Sequence, residues 1–316
     1  MSPRITRHPD GIAAVDAEYV QPGHAAIHII EQDGRAAFVD TGTHHSVPYA
    51  LTALDALGIA RDAVDYIFLT HVHLDHAGGA GRLLQALPNA RVLVHPRGAP
   101  HMIDPAKLIA GSIVVYGKER FHDLYGDIVP IPRGKLVNVA DGDRVRLGSR
   151  QLELIHTPGH ALHHYCIVDS ANASIFTGDT FGLSYRHFDT ARGAFVIPTS
   201  TPTQFDPEQL LASIDRLLAY APQSMYLTHY SRVTNIPPLA AVLKLQIREI
   251  VAHARSHAAA ANRDALVREH MLQLWLRLLR EHGCTLGIAR QTELLQGDLD
   301  LNVQGIAVWL DREKKG

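Results

Sequence analysis

The sequence predicts a layered α/β fold followed by a mainly helical C-terminal extension. Three observations predict it. Strand-like and helix-like segments alternate from Ala25 to Val94, strand patterns return between 136 and 178, and long helical patterns take over after Pro237-Pro238. Such alternation stacks helices on a sheet, because a strand and a helix each need a neighbour to cover an apolar face.

The first strands are Ala25–Ile30 and Ala36–Val39, joined by Asp33-Gly34. That dipeptide adopts the positive φ angles of a tight hairpin. Pro48 opens a helix with Leu51, Leu54 and Leu57 at helical spacing, and Gly58 ends it. Tyr66–Thr70 is a short apolar run of the kind that lies inside a sheet. Gly81–Leu87 reads as a helix and Arg91–Val94 as the next strand. Residues 101–133 have no clean period and scatter His101, Tyr116, Phe121, His122 and Tyr125 among glycines. They are expected to form an insertion or lid over the main sheet.

Further along, Val145–Leu147 and Leu152–Ile155 flank a turn at Gly148-Ser149, and Tyr165–Val168 pairs with Ser174–Thr177. Pro207–Tyr220 is a helix with Leu210, Leu211, Ile214, Leu217 and Leu218 at helical spacing, and Met225–Thr228 is a strand. Leu239–Ala260 and Arg263–His282 are long helices, whereas 298–311 fits helix or strand. The expected division is a main domain over 1–236 and a helical extension over 237–316. The extension's apolar stripe, with Leu272, Trp275, Leu276 and Leu279, is expected to pack on the domain or on a second subunit, which leaves a homodimer open.

Charge narrows the partners. Lys plus Arg is 30 against 32 for Asp plus Glu, so no broad positive field exists and nucleic acid is not an expected partner. The expected partner is a small-molecule substrate. Two distant cysteines, Cys166 and Cys284, argue against a disulfide framework and suit a reducing compartment. Met1–Asp10 carries basic residues but no apolar signal core, and no apolar run reaches the ~20 residues of a membrane span. A cytoplasmic location is expected, with no membrane association.

The chemistry lies in His71-Val72-His73-Leu74-Asp75-His76. Three imidazoles and one carboxylate fall within six positions, directly after an apolar strand. A loop leaving a strand end folds such side chains around a point. Their donors suit zinc, and also iron or manganese. Four ligands this close suffice for a share in two adjacent ions. Three crowded histidines with no ion would repel one another on protonation and would be costly to bury.

His-x-His-x-Asp-His after a strand ending in Thr resembles the signature of the metallo-β-lactamase superfamily. The family's other motifs follow in order: Val39-Asp40-Thr41-Gly42, Thr157-Pro158-Gly159-His160, Thr177-Gly178-Asp179 and Leu227-Thr228-His229. The resemblance spans about residues 24–230 and leaves the helical tail outside. It implies an αββα sandwich of two mixed β-sheets flanked by helices. It also implies two divalent metal ions, zinc foremost. One would be held by His71, His73 and His160, the other by Asp75, His76 and His229, with Asp179 bridging both. Asp40 is expected to hydrogen-bond and orient the ligand loop.

The implied activity is a metal-dependent hydrolase. A metal-bridging hydroxide would attack an ester, thioester or lactone, and Asp75 would orient it and then pass a proton to the leaving group. Secreted zinc β-lactamases typically lack the bridging aspartate and carry export signals, so antibiotic hydrolysis is not the expected role. The alternatives are a diiron redox or oxygen-binding protein, a phosphodiesterase, and a non-catalytic module whose metals serve structure. His163, His164, Tyr185, His187 and Tyr230 follow metal motifs closely and are candidates for lining the pocket.

Overall fold

The structure, a computed structural model, describes residues 3–200 and 203–315. Met1 and Ser2, which open the N-terminal stretch read for an export signal, lie outside the described residues. The chain divides into two compact units. The first runs through His156 and adds His163–Gly178 and Met225–Arg232; the second holds Thr157–Leu162, Asp179–Ser224 and the chain from Val233 onward.

The first unit is built on two sheets. One has seven strands in chain order: β1 (Ile5–Arg7), β2 (Ile12–Asp16), β3 (Ala26–Gln32), β4 (Arg35–Val39), β5 (Val64–Phe68), β6 (Arg91–Val94) and β7 (Leu136–Asn138). β1 to β4 pair antiparallel and β4 to β7 parallel, so the sheet is mixed. The turn between β3 and β4 has Asp33 at φ 54° and Gly34 at φ 73°, as its sequence predicts. Helices fill the parallel connections: α1 (Val47–Leu57) after β4, then α2 (Leu74–Ala77) and α3 (Ala80–Gln85) after β5. Between β6 and β7 come α4 (Ala99–Ile103), α5 (Ala106–Tyr116) and α6 (Lys118–Tyr125).

The second sheet runs in the order β13-β12-β11-β10-β9-β8. Its strands are β8 (Asp143–Leu147), β9 (Arg150–His156), β10 (Tyr165–Asp169), β11 (Ser174–Gly178), β12 (Ser224–Leu227) and β13 (Ser231–Thr234).

Side-chain alternation along each strand separates two cores. Ile27, Ile29, Ala36, Phe38, Ile67, Val92 and Val94 point to the helix-covered face, where they meet Val47, Leu54 and Leu83. Ile30, Ala37, Val39, Phe68 and Leu93 point the other way, into a core shared with Leu152, Leu154, Tyr165, Ile167, Phe176 and Tyr226 of the second sheet. Strands β2 to β6, inside the first sheet, are largely buried on both faces, which is why they read as apolar runs. Burying one such phenylalanine stabilises the fold by about 2–3 kcal/mol.

Residues 101–133, expected as an insertion or lid, are largely helical. They fold into most of α4 and all of α5 and α6, and Met102, Phe121, Tyr125 and Ile131 join the helix-side core. No residue of α5 is fully buried. Short helices with partly covered faces leave no clean period in the sequence.

In the second unit, α7 (Pro207–Leu218) packs on α8 (Ile236–Ser256), α8 on α9 (Arg263–His282), and α9 on α10 (Ile288–Glu313). The segment 298–311 is therefore helix. The buried stripe of α9 is Val267, Met271, Leu274, Trp275, Leu278 and Leu279; Leu272 and Leu276 stand at its margin. Cys166 is buried, Cys284 is half-buried, and neither is in a disulfide. Among the described residues no helix is long and apolar enough to cross a membrane.

Candidate metal centre

Because β4, β5 and β6 are parallel, their carboxyl ends fall on one edge of the sheet. Asp40 follows β4 there, and Thr70-His71 follows β5. Asp40 is fully buried, with φ at 58°, a left-handed conformation that aspartate tolerates better than most residues. Its carboxylate gathers four donors. Oδ1 accepts from the Thr70 backbone N–H at 2.9 Å, and the Thr70 hydroxyl lies 2.9 Å from Oδ2. Oδ2 also accepts from the Thr228 hydroxyl at 2.8 Å and from His76 Nδ1 at 2.8 Å. One carboxylate thus ties the ends of β5 and β12 to the first helical turn of the ligand segment.

These bonds set ring protonation. A carboxylate accepts only, so the His76 proton sits on Nδ1 and Nε2 presents its lone pair. His229 Nδ1 donates to the carbonyl oxygen of His24 at 2.7 Å, with the same consequence for its Nε2. Both Nε2 atoms face Asp75, whose Oδ2 lies 3.7 Å from that of His76 and 3.4 Å from that of His229. The ligand atoms of Asp75, His76 and His229 all lie within 4.8 Å of one another. Two lone pairs and a carboxylate oxygen repel when nothing stands between them. The same arrangement coordinates a cation, and the donor types suit zinc, iron or manganese. The residues present fit a metal.

A second group surrounds His71, which is fully buried. The Thr70 hydroxyl spends its proton on Asp40, so at 3.2 Å it accepts from His71 Nδ1. Nε2 of His71 is then the lone-pair atom, 2.9 Å from His73 Nδ1. The His71 and His76 ring centroids are 4.0 Å apart. His164 stacks on His71 at 4.9 Å. Gly178, at φ 49°, permits this crowding: a Cβ there would sit 2.6 Å from His164 Nε2 and 2.7 Å from the Thr70 hydroxyl.

His163 stands edge-on to His73 at 5.7 Å and accepts from the Val72 backbone N–H at 3.4 Å. Burial, and then the nearby His73, His101 and His95, push its pKa down to about 3. It is a neutral ring beside the ligand loop.

His160 and Asp179 belong to the second unit. His160 Nε2 lies 3.4 Å from Asp179 Oδ2, and both side chains are buried. The Pro158-Gly159-His160 turn is tied to α7: the Pro158 carbonyl accepts from Ser213 at 2.6 Å, and the Gly159 carbonyl from the Asp206 N–H at 2.8 Å. Gly159 has φ 132°, and a Cβ there would lie 2.2 Å from the Leu210 nitrogen. Only glycine fits.

Of the other candidates, Tyr185 is buried and its hydroxyl donates to Asp298 at 3.1 Å. His187 is exposed and Tyr230 is half-buried. Sequence reasoning missed Thr228, whose hydroxyl donates to Asp40, and the His24 carbonyl, which accepts from His229.

A two-sheet sandwich with a histidine–aspartate loop at its strand ends defines an α/β metal-binding class. The chain belongs to the metallo-β-lactamase superfamily, whose model matches residues 20–225. It is similar to the metallo-β-lactamase fold-containing protein ST1585 of Sulfurisphaera tokodaii, 28% identical over 69% of this chain and 78% of that one. It is also similar to the hydroxyacylglutathione hydrolase of Salmonella typhi, 26% identical over 65% of this chain and 69% of that one. The crystal structure of ST1585 superposes with a TM-score of 0.62 at 23% identity, covering 87% of this chain and all (100%) of the other. That of TTHA1429 from Thermus thermophilus gives 0.63 at 20% identity, covering 86% and 94%. The fold is the αββα sandwich of two mixed sheets flanked by helices, with further helices at the C-terminus.

Proposed function

We propose that this protein is a dinuclear metallohydrolase that cleaves an ester, thioester or lactone. The observation that carries the reading is the set of Asp75, His76 and His229, with both imidazole Nε2 lone pairs turned toward a carboxylate oxygen. In this proposal His71, His73 and His160 hold one ion, and Asp75, His76 and His229 hold the other. Asp179 would serve both ions. The order of the motifs along the chain and family membership support the assignment.

Bound divalent ions supply a water acidified to a pKa of about 7 and a Lewis acid for the carbonyl. The side chains do the rest. Asp40 and the His24 carbonyl hold His76 and His229 in one tautomer and one orientation. Asp75 is the least buried of the trio, with its side chain 21% exposed, so its carboxylate reaches both the ligand cluster and solvent. It takes the proton released by the attacking water and delivers it to the departing oxygen or sulfur. Similarity to a hydroxyacylglutathione hydrolase supports a thioester as the leading substrate.

The test is a panel of thioester, ester, lactone and phosphodiester substrates with metal-replete protein, run on wild type and Asp179→Ala. Acyl hydrolysis that falls at least about 100-fold in the variant is expected. Turnover untouched by the substitution, or turnover of phosphodiesters alone, overturns the reading. Metal analysis with an optical spectrum distinguishes zinc from iron, and two irons with no acyl turnover would favour redox or oxygen chemistry.

A further inference from the structure

His71, His76 and His229 share one device. Each turns Nδ1 to an oxygen of the protein, which leaves Nε2 as the lone-pair atom. His160 repeats it. Its Nδ1 faces Thr199, with the carbonyl oxygen and the hydroxyl each at 3.5 Å, and its Nε2 lies 3.4 Å from Asp179 Oδ2. A carbonyl oxygen only accepts, so the proton belongs on Nδ1. Thr199, however, stands in irregular backbone and not at a strand end, so its place depends on what grips the chain around it.

The grip comes from α10. Thr199, Ser200 and Asn302 are all buried. The Ser200 backbone N–H donates to Asn302 Oδ1 at 2.6 Å, and the Ser200 hydroxyl lies 2.7 Å from the same oxygen. Asn302 Nδ2 donates to the Asp298 carbonyl, one turn back, at 2.7 Å, which fixes the amide with Oδ1 toward Ser200. The Asp298 carboxylate accepts from the Tyr185 hydroxyl at 3.1 Å. Between these anchors Leu183 and Ile197 exchange backbone hydrogen bonds at 2.9 and 3.0 Å, and Gln246 of α8 donates to the Val196 carbonyl at 2.8 Å. The helices thus hold both arms of the loop that leads from Asp179 to Thr199. Apolar packing alone would hold such a loop without fixing its direction, whereas a buried amide tolerates only the arrangement that pairs it. All of these residues belong to the second unit, and Asp298 and Asn302 lie outside the family-matched residues 20–225.

We infer that Asn302 is a positioning residue, through which α10 sets the tautomer and direction of His160 by way of Ser200 and Thr199. The consequence for metal binding rests on the reading of His160 as a ligand; the tautomer does not. Two-bond proton–nitrogen spectra of the metal-free full chain, labelled at histidine and held at about pH 8 so that imidazoles are neutral, read the tautomer. His160 is assigned by the signal that His160→Gln removes. The Nδ1–H tautomer is expected in wild type and a mixture of the two in Asn302→Ala. Ser200→Ala removes only the hydroxyl contact; this milder variant is expected to shift the ring the same way by less. In chelator competition, Asn302→Ala is expected to hold the ion that His160→Gln loses at least about tenfold more weakly than wild type does. Leu295→Ala opens a cavity under α10 but touches none of these hydrogen bonds, and is expected to leave the tautomer as it is. A His160 tautomer unmoved in both variants, an equal shift in Leu295→Ala, or undiminished affinity of Asn302→Ala for the ion lost in His160→Gln overturns the inference. If the tautomer follows Asn302 while His160→Gln binds as many ions as wild type, the ligand assignment of His160 fails and its positioning by α10 stands.

Discussion

Nδ1 of His76 donates to Oδ2 of Asp40 across 2.8 Å, with both side chains buried. Through that bond Asp40 fixes which imidazole nitrogen of His76 faces Asp75. Asp40→Asn keeps the side-chain shape and tolerates the left-handed backbone at φ 58°, but it turns one acceptor into a donor. Metal affinity is expected to fall about 10- to 100-fold, read by competition with a chromophoric chelator. Asp40→Ala removes all four hydrogen bonds and is expected to destabilise the fold by a further 2–4 kcal/mol or so. Unchanged affinity in the asparagine variant would show that the bond does not orient His76.

Ion removal is expected to lower stability as well as activity. Facing lone pairs at Asp75, His76 and His229 repel in the metal-free protein, and the unfolded chain escapes that repulsion. An ion in thousandfold excess over its dissociation constant stabilises the folded state by about 4 kcal/mol. Differential scanning calorimetry before and after chelation reads the difference. His76→Ala is expected to lose most of the ion-dependent increment, and an increment that persists undiminished would remove His76 from the ligand set.

Two glycines are expected to respond differently to alanine. At Gly159 the added Cβ meets the backbone nitrogen of Leu210 at 2.2 Å with φ at 132°, and backbone yields only by moving the turn that carries His160. A loss of more than about 2 kcal/mol is expected, together with weaker metal binding. At Gly178 the added Cβ would meet side chains and not backbone, His164 Nε2 at 2.6 Å and the Thr70 side chain at 2.7 and 2.8 Å. There stability should change less, while the stack of His164 on His71 is lost. Circular dichroism melts of both variants, with metal titrations alongside, check the contrast.

The clustering of His71 to His76 was legible because it is local. His71 to His76 sit within one strand end and one helical turn, so spacing alone brings them together. The hairpin at Asp33-Gly34 and the helix Val47–Leu57, ended by Gly58, were legible for the same reason. Three short strands were not. β1 and β13 mix polar residues into three or four positions, and β2 is an Ala-rich stretch with few β-branched side chains. The supporting hydroxyls were half-hidden. Leu69-Thr70-His71 and Leu227-Thr228-His229 repeat one tripeptide at two strand ends, and both threonines bond Asp40. That repeat was a visible signal. Nothing in the sequence marks the His24 carbonyl as the partner of His229, since any residue supplies a carbonyl.

His28 makes stability depend on pH. It lies on β3 and its side chain is buried between the sheets, edge-on to Phe176 at 5.5 Å and Tyr226 at 5.6 Å. Burial, and secondarily the charge of His8, lower its pKa from 6.5 to about 3. The unfolded chain therefore binds a proton near pH 6.5 that the folded protein refuses until about pH 3. Between those values the unfolded state holds more protons, so stability falls as pH falls. The contribution is intact above pH 6.5, and about 2 kcal/mol of it is expected to be gone by pH 5. His28→Gln keeps a polar group near Ser231 but cannot titrate. Denaturant melts of wild type and variant at pH 7.5 and 5 are expected to show a shallower pH dependence in the variant. Equal slopes would mean that the protonated imidazole finds a partner inside the sandwich, and that the pH dependence has another source.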